Sequence, residues 1–449
     1  MIQLANEKSG KIGIFGLART GEATYLALRD YAKKIVCYDD SEKNRTEFSK
    51  KYGDKTLVHF KEDVWKELNK IVISPGVPTS LPKVHPIVEL ARELQIPFIG
   101  DVDLLYNARQ DAHYIAITGT NGKSTTTSLI HHILSKGENK WDIGGNIGNA
   151  VLNMDQHAYG YVLELSSYQI ELLQDFKAEV AILLNITPDH LDRHGTIENY
   201  TNVKKTLVQN AGTSIIGIDN KITAAIYEEL KTTHNIIPIS VKKIIEAGVC
   251  IKDGKIYDWM DGEQKEYIFP ENKSLQGEHN YENAAASFAA AKLSGMEPEI
   301  ILSQMKSFVG LLHRMQFVGT KFNIDFYNDS KATNAEAAAQ SIAALKNIYW
   351  LAGGVAKSGG IESLLNLKGN ITKAYLYGEA QNLFADQLEG LVPYQICNSL
   401  MESFNAALED AKSSGARANM LLAPACASLD QFKDFEERGC HFIDLYDRI

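Results

Sequence analysis

The sequence predicts an α/β protein of three parallel-sheet domains, and three observations carry that expectation. Short apolar, β-branched runs ending at glycine or proline alternate with helical patterns, which is how parallel sheets read in sequence. At 449 residues the chain exceeds what one core ordinarily holds, so about three domains of ~150 residues are expected. The alternation also falls into three zones, 1–100, 101–310 and 311–449.

In the first zone, residues 11–16, 35–39, 71–76 and 97–100 read as strands of a Rossmann-like sheet. In the second, 113–118, 161–165 and 180–185 read as strands, with a helix over 124–136 between the first two. With the glycine-lysine loop at 119–125 between the first strand and that helix, a phosphate-loop ATPase-like domain is expected. Residues 240–275 differ, because turn signals at Lys252-Asp253-Gly254-Lys255 and Asp261-Gly262 separate short strand-like pieces. A small antiparallel excursion is expected there. The third zone offers 348–353, 374–378 and 420–424 as strands of a second Rossmann-like sheet.

Composition narrows the function classes. With 45% hydrophobic and 23% charged residues the chain is an ordinary globular protein, and its formal net charge of -10 argues against a nucleic-acid footprint. The five cysteines are scattered without a CxxC pair, so neither a zinc ribbon nor a disulfide framework is suggested. The amino terminus lacks a basic segment followed by an apolar run, and no stretch approaches the ~20 apolar residues that span a bilayer. A reduced, cytoplasmic protein without membrane insertion is expected.

Chemistry enters at GTNGKST, residues 119–125, between the strand 113–118 and the helix that follows. Gly119, Thr120, Asn121 and Gly122 let backbone N–H groups converge on phosphate oxygens at a helix N-terminus, where the dipole also favours anions. Lys123 would sit against the β- and γ-phosphates, and the Ser124 hydroxyl would be available to Mg²⁺, with Thr125 beside it. The spacing departs from GxxxxGK[ST], since position 117 is Ile.

The shortened loop resembles that of the Mur ligases and folylpolyglutamate synthases, which form amide bonds by way of acyl phosphates. Further segments are similar to Mur-ligase motifs in order along the chain. LELSSYQ at 163–169 implies Glu164 as a ligand of Mg²⁺ beside the phosphates. NITPDHLDRH at 185–194 implies His190 as ligand of a second Mg²⁺; its i,i+4 spacing with His194 is weak evidence for a metal pair by itself. YTNVK at 200–204 resembles the segment bearing a carbamylated lysine, which implies Lys204 rather than the adjoining Lys205. HNYENA at 279–284 implies that Asn283 reaches the adenine of ATP. LHR at 312–314 implies Arg314 on the ATP phosphates, and NDSKATN at 328–334 implies Asp329 at the ribose with Lys331 and Thr333 at the substrate.

Specificity is expected from the two ends. GLARTG at 16–21 resembles a dinucleotide fingerprint in which Ala18 replaces the middle glycine, and Asp39-Asp40 ends the next strand. Read alone it suggests an NAD-dependent oxidoreductase. In the D-glutamate-adding Mur ligases this domain holds a uridine diphosphate, which implies Arg19 and Thr20 at the diphosphate, Asp39 and Asp40 at the uracil, and Gly76 at the nucleotide. Asn146 is implied near the substrate carboxylate or incoming amine. The segment APACASLDQFKDFEERG at 423–439 closely resembles the signature of that branch and implies Ser428 and Phe435 as holders of D-glutamate. GGVAKS at 353–358 implies that Lys357 pairs with its side-chain carboxylate. The resemblance therefore implies a monomer acting on UDP-MurNAc-L-Ala, D-glutamate and ATP with two Mg²⁺ ions, whose third domain swings during the cycle. The rivals are the oxidoreductase and a catalytically idle nucleotide-binding regulator.

Overall fold

The computed structural model describes every residue except Ser9 and Ser358. The chain forms two compact units, Met1–Phe308 and Val309–Ile449.

The first unit contains two sheets. A four-stranded parallel sheet runs in the order Lys34–Tyr38, Lys11–Phe15, Lys70–Ile73, Phe98–Ile99. Three of these strands are shorter than the sequence suggests, Lys11–Phe15 only by Gly16. The run 71–76 stops at Ile73, before Pro75, which has no N–H for a ladder, and Gly100 already caps the helix Asp101–Ala108. Side chains alternate across the sheet: Ile12 and Ile14 join one core, while Phe15, Ile71 and Ile73 pack with Trp65 in another.

The central sheet has nine strands, ordered Lys265–Ile268, Lys255–Asp258, Val249–Lys252, Ile236–Ser240, Thr213–Gly217, Val180–Leu183, His113–Thr118, Gly160–Glu164, Trp141–Gly145. The antiparallel pieces expected within 240–275 form its edge, where Asp253-Gly254 makes a two-residue turn with both φ positive. From Val249–Lys252 onward the strands pair in parallel. On His113–Thr118, Tyr114 and Ala116 face the core shared with the first sheet. Ile115 and Ile117 face the helices Lys123–Leu134 and Glu278–Leu293. Each fully buried Leu or Ile there contributes about 1.5–3 kcal/mol. The alanines at 284–286 and 289–291 let the second helix lie close.

The second unit holds a six-stranded sheet, ordered Gln316–Lys321, Ile324–Asn328, Ala418–Leu422, Ile348–Gly353, Ile371–Tyr377, Tyr394–Ile396. Only the first of these is antiparallel to its neighbour. A short ribbon pairs Val355–Ala356 with Cys426–Ala427.

Each sheet contains a strand flanked on both sides by strands reached through crossovers: Lys11–Phe15, His113–Thr118 and Ile348–Gly353. Ligand crevices of open α/β sheets lie beyond the carboxyl ends of such strands. All three are followed by the glycine turns singled out in the sequence. Among the described residues no helix is long and apolar enough to cross a membrane.

Candidate active site

The loop after His113–Thr118 turns on Gly119 and Gly122, with φ of +148° and +84°, and the helix begins at Lys123. A Cβ at Gly122 would approach Asn283 Oδ1 to 2.2 Å. The turn is pinned from the end of the neighbouring strand. Thr120 N–H donates to the Asn185 carbonyl at 2.8 Å, and Asn121 N–H donates to Asn185 Oδ1 at 2.9 Å. Lys123 Nζ donates to the carbonyls of Gly119 (3.0 Å) and Thr120 (2.8 Å). Ser124 is buried in the first helical turn and Thr125 half-buried beside it. Asn283 lies beneath the loop, 2% exposed, and accepts a hydrogen bond from Thr126 Oγ1 at 3.2 Å.

Lys204 approaches the same loop from the helix Ile197–Gln209. Its Nζ donates to Thr118 Oγ1 at 3.1 Å and to the Gly119 carbonyl at 2.9 Å, over the Tyr200 ring at 4.8 Å. Burial, aided by the charge of Lys123, pulls its pKa down to about 7, so a neutral amine is well populated near neutrality. The adjoining Lys205 points elsewhere and pairs with Glu229 at 3.0 Å. The structure therefore separates two lysines that the sequence left side by side.

Glu164 ends the strand next to the loop and is 2% exposed. Its Oε1 accepts from Asn146 Nδ2 at 2.8 Å, whereas Oε2 is buried with no hydrogen-bond partner among the described residues. A buried carboxylate oxygen without a donor suits a cation. Among the described residues no group of three or more His, Cys, Asp or Glu side chains forms a metal cage. Mg²⁺ needs none, because it takes one or two carboxylates together with phosphate oxygens and water.

His190 stands at φ +51° before the short helix Leu191–His194, with Nδ1 3.2 Å from Tyr168 Oη. His194 does not join it. It is buried against Ser167 Oγ (2.9 Å) and Glu171 (3.3 Å), and burial lowers its pKa. Arg193 donates to the same Glu171 at 2.6 Å. Of the i,i+4 pair only His190 is exposed, and His194 belongs to the packing.

Beside Asn146 opens a cavity of about 430 Å³ lined by Arg19, Thr20, Asp39, Asp40, Gly76 and Asn146. Every first-unit residue assigned to the substrate by resemblance therefore meets in one space. Arg19 Nη1 and Nη2 donate to the carbonyls of Gly148 and Gly145, each at 2.9 Å. Asp39 is largely committed to the fold, accepting from Leu17 N–H (2.6 Å), Ser41 N–H (2.8 Å) and Asn44 Nδ2 (3.0 Å). Asp40 meets His85 Nε2 at 2.8 Å. His85, Ser166, Tyr168 and Gln169 also line the cavity and were missed in the sequence. The Ser166–Gln169 capping box just after Glu164 was the available signal.

In the second unit, Asp329, Lys331, Thr333, Lys357 and Ser428 follow the carboxyl ends of three adjacent strands, and Phe435 opens the last helix, Phe435–Asp447. Lys331 Nζ lies over the Phe435 ring at 5.4 Å. Lys357 is exposed, Thr333 half-buried and Ser428 3% exposed. Asp329 accepts from Met315 N–H at 3.1 Å and from Ser341 Oγ, and burial raises its pKa. Arg314 is exposed in a tight turn between His313 and Met315, both at positive φ.

A largely parallel sheet with a glycine-lysine turn at a helix N-terminus, an open-ended acid and a buried lysine beside it frames the class that comparison with known proteins shows. The profile of the Mur ligase middle domain matches residues 117–291. A solved UDP-N-acetylmuramate-alanine ligase from Thermotoga maritima shares the fold with a TM-score of 0.56, covering 98% of this chain and 99% of that one at 18% identity. The chain is 45% identical to the UDP-N-acetylmuramoylalanine--D-glutamate ligase of Rickettsia bellii, covering 98% of each. It is 46% identical to that of Rickettsia prowazekii, again covering 98% of each. The chain belongs to the UDP-N-acetylmuramoylalanine--D-glutamate ligase family.

Proposed function

We propose that the chain joins D-glutamate to UDP-N-acetylmuramoyl-L-alanine at the expense of ATP, in the cytoplasm and as a monomer, for peptidoglycan precursor synthesis. One observation carries the reading: the substrate-sized cavity reaches Asn146, which is bonded to Glu164 beside the phosphate loop. The alanyl carboxylate attacks the γ-phosphorus and ADP leaves; the D-glutamate amine then attacks the acyl carbon and phosphate leaves. Loop N–H groups and Lys123 hold the phosphates and offset charge as two anions approach. Asn146, oriented by Glu164, faces the substrate carboxylate. Glu164 and Ser124 would hold one Mg²⁺, and His190 with carbamylated Lys204 a second. Bound Mg²⁺ supplies charge neutralisation at the transferring phosphoryl group.

Arg19, Thr20, Asp40 and Gly76 receive the uridine diphosphate, while Asp39 shapes the turn beneath it. Lys331, Thr333, Lys357, Ser428 and Phe435 receive D-glutamate. Asn283, Arg314 and Asp329 are assigned to the nucleotide. Phosphate release should require UDP-N-acetylmuramoyl-L-alanine and D-glutamate together. Release with a folate and L-glutamate instead overturns the substrate, and tight NAD binding without ATP binding overturns the class.

A further inference from the structure

Arg438 has no exposed surface at all, although a guanidinium keeps its charge throughout the accessible pH range. Burying such a group is costly unless its N–H groups find acceptors. Its acceptors here are uncharged. Nε donates to Ser330 Oγ at 3.0 Å; Nη2 donates to the carbonyls of Ser330 (2.8 Å) and Cys426 (3.1 Å); Nη1 donates to that of Gly353 at 3.4 Å. Those residues lie at or just beyond the carboxyl ends of three different strands, each leading into a loop. The loops follow Ile324–Asn328, Ala418–Leu422 and Ile348–Gly353, which lie side by side in the sheet. Ser330 Oγ in turn donates to the Phe435 carbonyl at 2.7 Å, which draws the start of the last helix into the same knot.

The three loops and that helix carry Lys331, Thr333, Ser428, Lys357 and Phe435. A carboxylate partner for Arg438 would tie one loop to it. A planar fork that donates to one hydroxyl and three carbonyls ties three loops to one rigid plate. The Val355–Ala356 and Cys426–Ala427 ribbon adds only a two-residue link between two of them.

We propose that Arg438 is a positioning residue for the amino-acid substrate: its guanidinium sets the spacing of the loops that carry the amino-acid contacts, without touching the substrate itself. The proposal rests on the reading that these loops receive D-glutamate. That substrate has carboxylates at both ends, so a fixed spacing measures its length and discriminates it from D-aspartate, one methylene shorter. Loosening the clamp therefore weakens D-glutamate more than any other substrate and narrows its lead over D-aspartate.

Steady-state kinetics of Arg438→Lys, Arg438→Met and Ser330→Ala test this. For the Arg438 variants KM for D-glutamate should rise about tenfold, with KM for ATP and for the UDP-sugar within about twofold and a reduced preference over D-aspartate. Ser330→Ala, which removes the hydroxyl that accepts from Nε, should move both readouts the same way by about threefold. Unchanged KM and preference, or an equal rise in all three KM values, overturns the proposal. If the Arg438 variants fail to fold, Ser330→Ala decides, and an unchanged D-glutamate KM overturns the clamp. If the unsubstituted protein does not release phosphate with D-glutamate, the functional reading fails instead. The clamp is then judged by the same ratios for whichever amino acid it does ligate.

Discussion

Two glycine turns in the first unit occupy equivalent positions at the crossover strands of their sheets, and each helix that follows opens with a cation. Arg19 starts the helix Arg19–Leu28 and reaches away, to the carbonyls of Gly145 and Gly148. Lys123 starts Lys123–Leu134 and folds back on its own loop, to Gly119 and Thr120. The turns are also anchored differently. Asp39, at the end of the next strand, accepts directly from Leu17 N–H. At the central turn a neutral Asn185 takes Asn121 N–H, and Glu282 Oε2 in turn accepts from Asn185 Nδ2 at 3.0 Å. An acid placed directly in a turn lowers its affinity for phosphate. Placing the acid one amide further away keeps the anchor without setting a carboxylate directly on the loop's N–H groups.

Four substitutions break or sharpen this contrast. Lys123→Ala should lower phosphate release on the order of 10²–10³-fold while leaving binding of the UDP-sugar intact, as measured by a release assay beside calorimetry. A comparable loss of UDP-sugar binding would erase the distinction between the turns. Gly21→Ala places a Cβ 1.7 Å from the Gly16 carbonyl oxygen, a backbone atom with no rotamer to yield. A cost of about 1–3 kcal/mol in denaturant unfolding is expected, with weaker UDP-sugar binding. Arg19→Lys keeps the charge but cannot bridge two carbonyls, so KM for the UDP-sugar should rise roughly fivefold and KM for ATP should stay put.

The smallest effect concerns Glu282, whose pKa burial raises from 4.5 to about 7. The folded state then binds a proton that the unfolded chain releases, so the contribution to stability is largest below 4.5 and falls as pH rises through 7. Glu282→Gln should raise Tm by about 2 °C above neutral pH and change little in acid. A gain confined to acid would contradict the assignment.

The strand–turn–helix at 113–134 was legible because everything that defines it is local: strand, two glycines, lysine, hydroxyls and helix in unbroken order. The C-terminal signature was legible through its length. What escaped depended on partners distant in sequence. The bond from Asn146 to Glu164, the diversion of His194 to Ser167 and Glu171, and the carbonyls around Arg438 exist only once neighbouring strands are laid side by side. The hairpin of Gln316–Lys321 and Ile324–Asn328 went unread for a different reason. Its turn residues, Phe322 and Asn323, both adopt positive φ (54° and 62°) without the glycine that usually announces such a turn.

The pairing of Gly145 with Glu164 places Asn146, just past the end of one strand, beside Glu164 at the end of its neighbour. Strands are separated by about 4.8 Å, and hydrogen bonds make that interval among the stiffest lengths in a protein. The offset between Asn146, at the edge of the cavity, and Glu164 is thus set by the sheet's own repeat. A sequence can drift at the other side chains of the cavity without changing how far Asn146 stands from Glu164. A one-residue slip of either strand would move it at once.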